Sequence, residues 1–234
     1  MKETNLYIVR HGKTMFNTLE RVQGWCDTPL TTKGREGIQY VGLGLQDTKF
    51  EEAYSSDSGR AIETMRILLG EHPDGKDLPY HVDPRIREWC FGSLEGAYDA
   101  EMWGVLPRVL NFKTEDDLFA TEVTFKEIAD AIVGADTASW AEPYEKLRER
   151  VWNGFEDIAQ RREKDGGGNV LIVSHGLTIA FLLSLIDSKQ PVRANLLNGS
   201  INRVKYQNGK FTIRAINDIS YLERGKTIAD KAND

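Results

Sequence analysis

The amino-acid sequence predicts an α/β protein, a three-layer α/β/α sandwich around a mostly parallel sheet. Three observations carry that expectation. Continuous apolar runs recur, Leu6-Tyr7-Ile8-Val9 and Val170-Leu171-Ile172-Val173, and such runs suit strands buried on both faces of a parallel sheet. Stretches of helical periodicity lie between them. Asn208-Gly209, flanked by residues 201–207 and 210–216, is the strongest short signal for a hairpin, read here as an antiparallel edge.

The elements follow in order. The Leu6 run ends in Arg10-His11-Gly12. Thr31-Thr32 can cap a helix through Ile38, Val41 and Leu45, although Gly37, Gly42 and Gly44 weaken it. Glu52-Ala53-Tyr54-Ser55-Ser56 is a further strand candidate, leading through Asp57-Ser58-Gly59-Arg60 into a helical stretch over 61–69. Residues 98–140 break the alternation. They carry Trp103, Phe112, Phe119, Phe125 and Trp140 among many acids, and read as a mostly helical insertion capping one end of the sheet. For any one of those aromatics, simple docking of a surface helix on the core is an equal reading. Tyr144, Leu147, Val151, Phe155 and Ile158 recur at the spacing of an amphipathic helix, which stops at Asp165-Gly166-Gly167-Gly168 before the Val170 run. Residues 222–234 are charged and read as a mobile polar tail. The whole of 1–234 is expected to form one domain.

Composition excludes several classes. Thirty Lys+Arg against 36 Asp+Glu give a net charge of −6, which argues against a protein built to grip nucleic acid or an anionic membrane. It leaves room for a local positive pocket. Cys26 and Cys90 cannot form a disulfide framework and read as reduced thiols. The most apolar stretch, 170–186, is interrupted by Ser174, His175, Gly176, Thr178 and Ser184 and is too short for a bilayer. With no secretory hydrophobic region after Met1, the expectation is a soluble cytoplasmic protein. No membrane or nucleic-acid partner is expected, and the oligomeric state is left open.

In an open α/β sheet, ligands bind at the carboxyl ends of the strands. Arg10, His11, Arg60 and His175 all fall there. A single histidine after a strand is more often structural, and a single arginine at a helix start is commonly a surface ion-pair partner. Independent strand ends supplying the same ingredients, two of them as His-Gly, point instead to one positive pocket suited to phosphate.

Arg10-His11-Gly12-Lys13-Thr14 with Asn17 resembles the signature of the histidine phosphatase superfamily, in its phosphoglycerate mutase-like branch. The resemblance continues through Arg21-Val22-Gln23-Gly24-Trp25-Cys26-Asp27-Thr28-Pro29-Leu30-Thr31 and Ser55-Ser56-Asp57-Ser58-Gly59-Arg60-Ala61-Ile62-Glu63-Thr64. It resumes at Arg87-Glu88-Trp89-Cys90-Phe91-Gly92-Ser93-Leu94-Glu95-Gly96 and Val173-Ser174-His175-Gly176, in the family's order. Lys13 and Phe16 depart from its commoner residues, outside the core chemistry.

The resemblance implies a phosphoglycerate mutase-like fold, with His11 as the nucleophile that is transiently phosphorylated. It implies that Arg10, Arg60 and His175 surround the phosphoryl group, that Asn17 completes the pocket, and that Glu88 is the proton donor. Gln23 and Gly24 would line the substrate entrance. Such a nucleophile must be neutral, so its other ring N–H is expected on a backbone carbonyl. Glu88 needs a pKa raised by burial or by phosphate charge; otherwise it is a surface carboxylate paired with Arg85 or Arg87. No HExxH, close metal-ligand cluster, Walker A loop or GxGxxG is present, so neither metal nor cofactor is expected. His72 and His81 read as solvated loop residues.

The expected reaction is metal-independent hydrolysis of small phosphomonoesters, the partner being a small phosphorylated metabolite. Mutases of the family carry an adjacent Arg-Arg pair in the insertion, whereas this insertion has only Arg108, among the acids Glu101, Glu115, Asp116, Asp117, Glu122 and Glu127. A cofactor-dependent phosphoglycerate mutase is the first alternative, and a non-catalytic phospho-ligand binding module the second.

Overall fold

The computed structural model describes residues 2–114, 116–117, 123–192 and 195–232. Its centre is β1 (Thr4–Arg10), paired in parallel with β4 (Gly168–Ser174) from Thr4 against Gly168 to Arg10 against Ser174. That register sets the residues after each strand, His11 and His175, side by side. β2 (Glu52–Ser55) runs parallel to β4, and the short β3 (Tyr80–Val82) runs parallel to β2. On the other side β5 (Ile201–Gln207) lies antiparallel to β1, and β6 (Lys210–Asp218) closes the edge. The order is β3-β2-β4-β1-β5-β6. The β5–β6 turn is Asn208-Gly209, both at positive φ, the left-handed pair that a tight hairpin needs.

Alternation along the strands feeds two apolar layers. Leu6, Ile8, Val170 and Ile172 face α6 (Tyr144–Lys164) and α7 (Gly176–Ile186). Val9, Leu171 and Val173 face α2 (Thr32–Leu45) and α3 (Gly59–Glu71). A four-residue α1 (Met15–Thr18) follows β1. Between 98 and 140 lie α4 (Asp99–Val109) and α5 (Phe125–Ala135), which bury Met102, Leu106, Phe125 and Ile128 in the α6–α7 layer. Phe119, Glu115 and Glu122 lie outside the described residues. Trp140 stays 76% exposed.

Three expectations need correction. The C-terminal segment is no mobile tail as far as it is described: α8 (Ser220–Ala232) packs along α2, with Tyr221 and Leu222 against the core. Charged residues cover its outer face, so charge alone concealed an amphipathic helix. The contact explains Gly44 of α2 and Gly225 of α8. A Cβ at Gly44 would lie 1.9 Å from the Tyr221 carbonyl oxygen, and one at Gly225 only 1.7 Å from that of Tyr40. His72 is buried and donates from Nε2 to the Thr48 carbonyl at 3.0 Å while Nδ1 accepts from the Asp74 N–H. His81 is exposed but belongs to β3, which lacks an apolar run because little of it is covered. No helix among the described residues is long and apolar enough to cross a membrane.

Candidate active site

The carboxyl ends of β1, β2 and β4 form one corner of the molecule. His11 is buried there, and its Nδ1–H donates to the Gly12 carbonyl at 2.8 Å. A carbonyl can only accept, so Nε2 carries the lone pair, which accepts from Arg60 Nε at 3.3 Å. Burial first, and then the charges of Arg60 and Arg10, hold the imidazole pKa well below its ordinary value. The ring is neutral at physiological pH. Gly12 has no room for a side chain: its N–H donates to Thr64 Oγ1 at 3.0 Å, and a Cβ would sit 2.8 Å from Ile38 Cγ1.

His175 precedes α7, its ring 5.2 Å from that of His11. Its Nε2 shares a 2.6 Å hydrogen bond with Ser56 Oγ, and its buried Nδ1 has no partner among the described residues. Burial, with Arg60 next, depresses this pKa as well. A Cβ on Gly176 would lie 3.2 Å from Arg10 Nε, so the glycine gives that guanidinium its passage. Arg10 donates from Nη1 to the Leu196 carbonyl and keeps a buried Nε unpartnered among the described residues.

Arg60, in the first turn of α3, is 1% exposed. It donates to the carbonyls of Gln23, Gly24 and Cys26, to Asp27, and to His11. All five guanidinium N–H groups are thereby engaged. Its Nε stands against His11, while its terminal nitrogens hold the 23–27 loop. Glu95 grips the same loop from the other side, accepting from the N–H groups of Gly24, Trp25 and Cys26. Within that loop the Cys26 thiol, through burial and Glu95, is pushed up to about 12 and is no nucleophile.

Glu88 is buried at the N-terminus of α7. Its carboxylate accepts from the Leu177 and Thr178 N–H groups at 3.1 and 2.9 Å, from Thr178 Oγ1 at 2.8 Å and from the Trp89 N–H. The helix terminus suits an anion there. It is not the surface partner of Arg85 or Arg87, which pair with Asp83 and Asp157 and with Asp57. Asn17 accepts on Oδ1 from the Thr14 N–H and from Asn198 Nδ2, and Asn198 also donates to the His11 carbonyl at 3.0 Å. The Gln23 amide is engaged by Thr14 and Thr28.

These groups border a cavity of about 510 Å³. Arg10, His11, Asn17, Gln23 and Glu88 line it, whereas Arg60, His175 and Gly24 stand behind that lining. Phe91, Met102, Trp103, Leu177, Val192 and Leu196 give the lining an apolar part, beside the polar Arg21, Asp99 and Asn195. Among the described residues no group of three or more His, Cys, Asp or Glu could hold a metal ion. Sequence reasoning assigned no role to Ser56, Thr178, Asn198, Glu95, Glu142 or Arg150. Ser56 and Glu95 stand inside the quoted motifs, which was the one available signal.

The model of the histidine phosphatase superfamily, branch 1, matches residues 6–219. The chain is 30% identical over 232 residues to a probable phosphoglycerate mutase GpmB of Enterobacter sp. (strain 638), covering 93% of this chain and 94% of that one. A crystal structure of phosphoglycerate mutase from Bacillus anthracis str. Sterne matches with a TM-score of 0.91 at 37% identity, over 96% of this chain and 97% of that one. Bacillus stearothermophilus YhfR matches with a TM-score of 0.72 at 26% identity, over 94% and 99% of the two chains.

Proposed function

The chain belongs to the histidine phosphatase superfamily, branch 1, a family of enzymes, and from that premise we propose that it hydrolyses small phosphomonoesters through a phosphohistidine on His11. The observation that carries the chemistry is the neutral His11, its Nδ1 proton fixed on Gly12 and its Nε2 lone pair beside the Arg10 and Arg60 charges.

In the first step Nε2, released from the Arg60 Nε–H, attacks phosphorus in line, the P–O bond to the leaving group breaks, and Glu88, entering the step as the protonated acid, gives the departing alkoxide that proton. In the second, Glu88 takes a proton from water as that water attacks phosphorus. The P–N bond then breaks, and phosphate and neutral His11 are regenerated. Phosphoryl transfer of this kind depends mainly on positioning and on neutralising the equatorial oxygens. The unpartnered Nε of Arg10, which lines the cavity, is a donor suited to those oxygens, and such a preorganised donor is worth about 3 kcal/mol. No step calls for a metal, since the side chains supply the charge.

Hydrolysis is favoured over mutase chemistry by the apolar wall. Arg108 is exposed and does not line the cavity, which leaves the α4 side to Met102 and Trp103. The relatives named phosphoglycerate mutase make intramolecular transfer the second reading. A binding module without turnover would have little use for a nucleophile, cations and a buried acid on one cavity. Release of phosphate from p-nitrophenyl phosphate, lost in His11→Ala, tests the reading. Efficient interconversion of 3- and 2-phosphoglycerate with negligible phosphate release would overturn it.

A further inference from the structure

Building on the phosphatase reading, we propose that Asp99 is a specificity-determining residue, a carboxylate in the cavity wall that favours leaving groups bearing hydroxyl or ammonium donors and rejects those bearing a carboxylate. Asp99 opens α4 and lines the same cavity as Arg10, His11 and Glu88. Its backbone N–H donates to the Glu20 carbonyl at 2.8 Å, which fixes where the side chain starts. Asp99, Met102 and Trp103 stand at i, i+3 and i+4, one face of the helix, and all three line the cavity. The part of the lining that α4 supplies is therefore an apolar surface with one anionic point.

Apart from the exposed Glu20, the other acids near the site are occupied. Glu88 is bound to the start of α7, Glu95 to the 24–26 backbone, Asp27 to Arg60, Asp57 to Arg87 and Glu142 to Arg150. Among the described residues the Asp99 side chain makes no hydrogen bond or ion pair. Burial and the neighbouring Glu20 raise its pKa while Arg10 pulls it down, so it feels the charge at the phosphate end without touching it. Among the described lining residues the one further cation, Arg21, donates to the Gly96 carbonyl at 2.6 Å and stacks 4.1 Å from the Tyr98 ring centroid. It is turned onto the 96–98 segment. A substrate carboxylate reaching this wall would face Asp99 in a cavity that screens it poorly, whereas a hydroxyl or ammonium would donate to it.

Glycerol 3-phosphate and 3-phosphoglycerate form a matched pair, differing in a hydroxymethyl group against a carboxylate. Their dissociation constants, measured by calorimetry in the His11→Ala background, and their inhibition constants in the wild-type enzyme give one ratio. We expect the wild type to favour glycerol 3-phosphate by about tenfold or more, the near-isosteric Asp99→Asn to shrink that ratio, and Asp99→Lys to reverse it. An unchanged ratio in Asp99→Asn, or a wild type that binds both ligands alike or glycerol 3-phosphate no better, would overturn the proposal. So would tighter 3-phosphoglycerate binding lost in Arg21→Gln, because Arg21 would then receive the carboxylate. The ratio does not depend on turnover, so p-nitrophenyl phosphate hydrolysis by the wild type tests the phosphatase reading separately.

Discussion

Arg150 and Glu142 form a two-pronged ion pair, Nε to Oε1 at 2.7 Å and Nη2 to Oε2 at 2.6 Å, behind the loop that carries Glu88. The same guanidinium donates to the carbonyls of Arg85, Arg87 and Glu88 at 2.9, 2.9 and 3.1 Å, while Glu142 accepts from the Cys90 N–H. The pair fixes the backbone on both sides of Glu88 without touching the cavity, so Arg150 is a positioning residue.

Arg150→Lys keeps the charge but loses the planar fork. We expect kcat for alkyl phosphates, whose leaving groups need a proton, to fall about 10²-fold with little change in KM. Hydrolysis of p-nitrophenyl phosphate, whose leaving group departs unaided, should fall much less. Equal losses on both substrates would show a general structural defect instead. Glu142→Ala should be harsher on stability, because it strands a mostly buried charge, at roughly 3–5 kcal/mol in urea unfolding.

Glu88 itself should show the same leaving-group dependence more strongly. Glu88→Gln is expected to slow alkyl phosphates by about 10²- to 10⁴-fold. It should still accumulate an acid-labile, base-stable phosphoprotein from p-nitrophenyl phosphate, since forming the P–N bond to His11 needs no acid there. Phosphate trapped on His11→Ala to the same extent would place the nucleophile elsewhere.

The contrast between these residues shows what was legible in the sequence. Strands β1 and β4 were readable because continuous apolar runs demand burial on both faces, and β2 as a short candidate leading into a helical stretch; their ends then located Arg10, His11, Arg60 and His175. Glu88 was readable only through its motif. Arg150 reaches the Glu88 carbonyl across 62 positions and Asn198 reaches His11 across 187, and no local pattern specifies so distant a partner. β3 stayed hidden because backbone pairing with β2 holds it with little apolar cover. The sequence reading set Arg60 around the phosphoryl group; in the structure its Nε is on His11 Nε2 and its terminal nitrogens hold the 23–27 loop, a second task that no local pattern announced.

The two buried imidazoles make stability depend on pH in one direction. Both pKa values lie well below the ordinary 6.5 in the folded chain. Below about 6.5 the unfolded chain takes up protons that the folded chain does not, so stability falls as pH falls through that window and is retained above it. Each histidine contributes a slope approaching about 1.4 kcal/mol per pH unit. Urea unfolding between pH 7.5 and 5 should follow this trend (about 7.5 to 5 being the span around the free imidazole value), and His175→Gln should flatten it. Stability that rose on acidification would contradict the neutral pair.

The crossing of α2 and α8 makes the last prediction, because glycine should be indispensable at one set of helical positions and wasteful at another. Gly44 and Gly225 let two backbones meet, a Cβ at either falling within 1.9 Å of a carbonyl oxygen on the other helix. No rotamer can relieve a backbone clash, so the helices must part. Gly225→Ala or Gly44→Ala should therefore cost more than about 2 kcal/mol. Gly37 on the same α2 meets nothing within 4 Å and has no positive φ. There, Ala brings only its better helix propensity and a less flexible unfolded chain, and Gly37→Ala should stabilise by about 0.5–1 kcal/mol. Urea midpoints moving in opposite directions for Gly37→Ala and Gly44→Ala would establish α8 as a docked part of the domain. A Gly44→Ala midpoint equal to the wild type would mean that α8 does not pack there in solution.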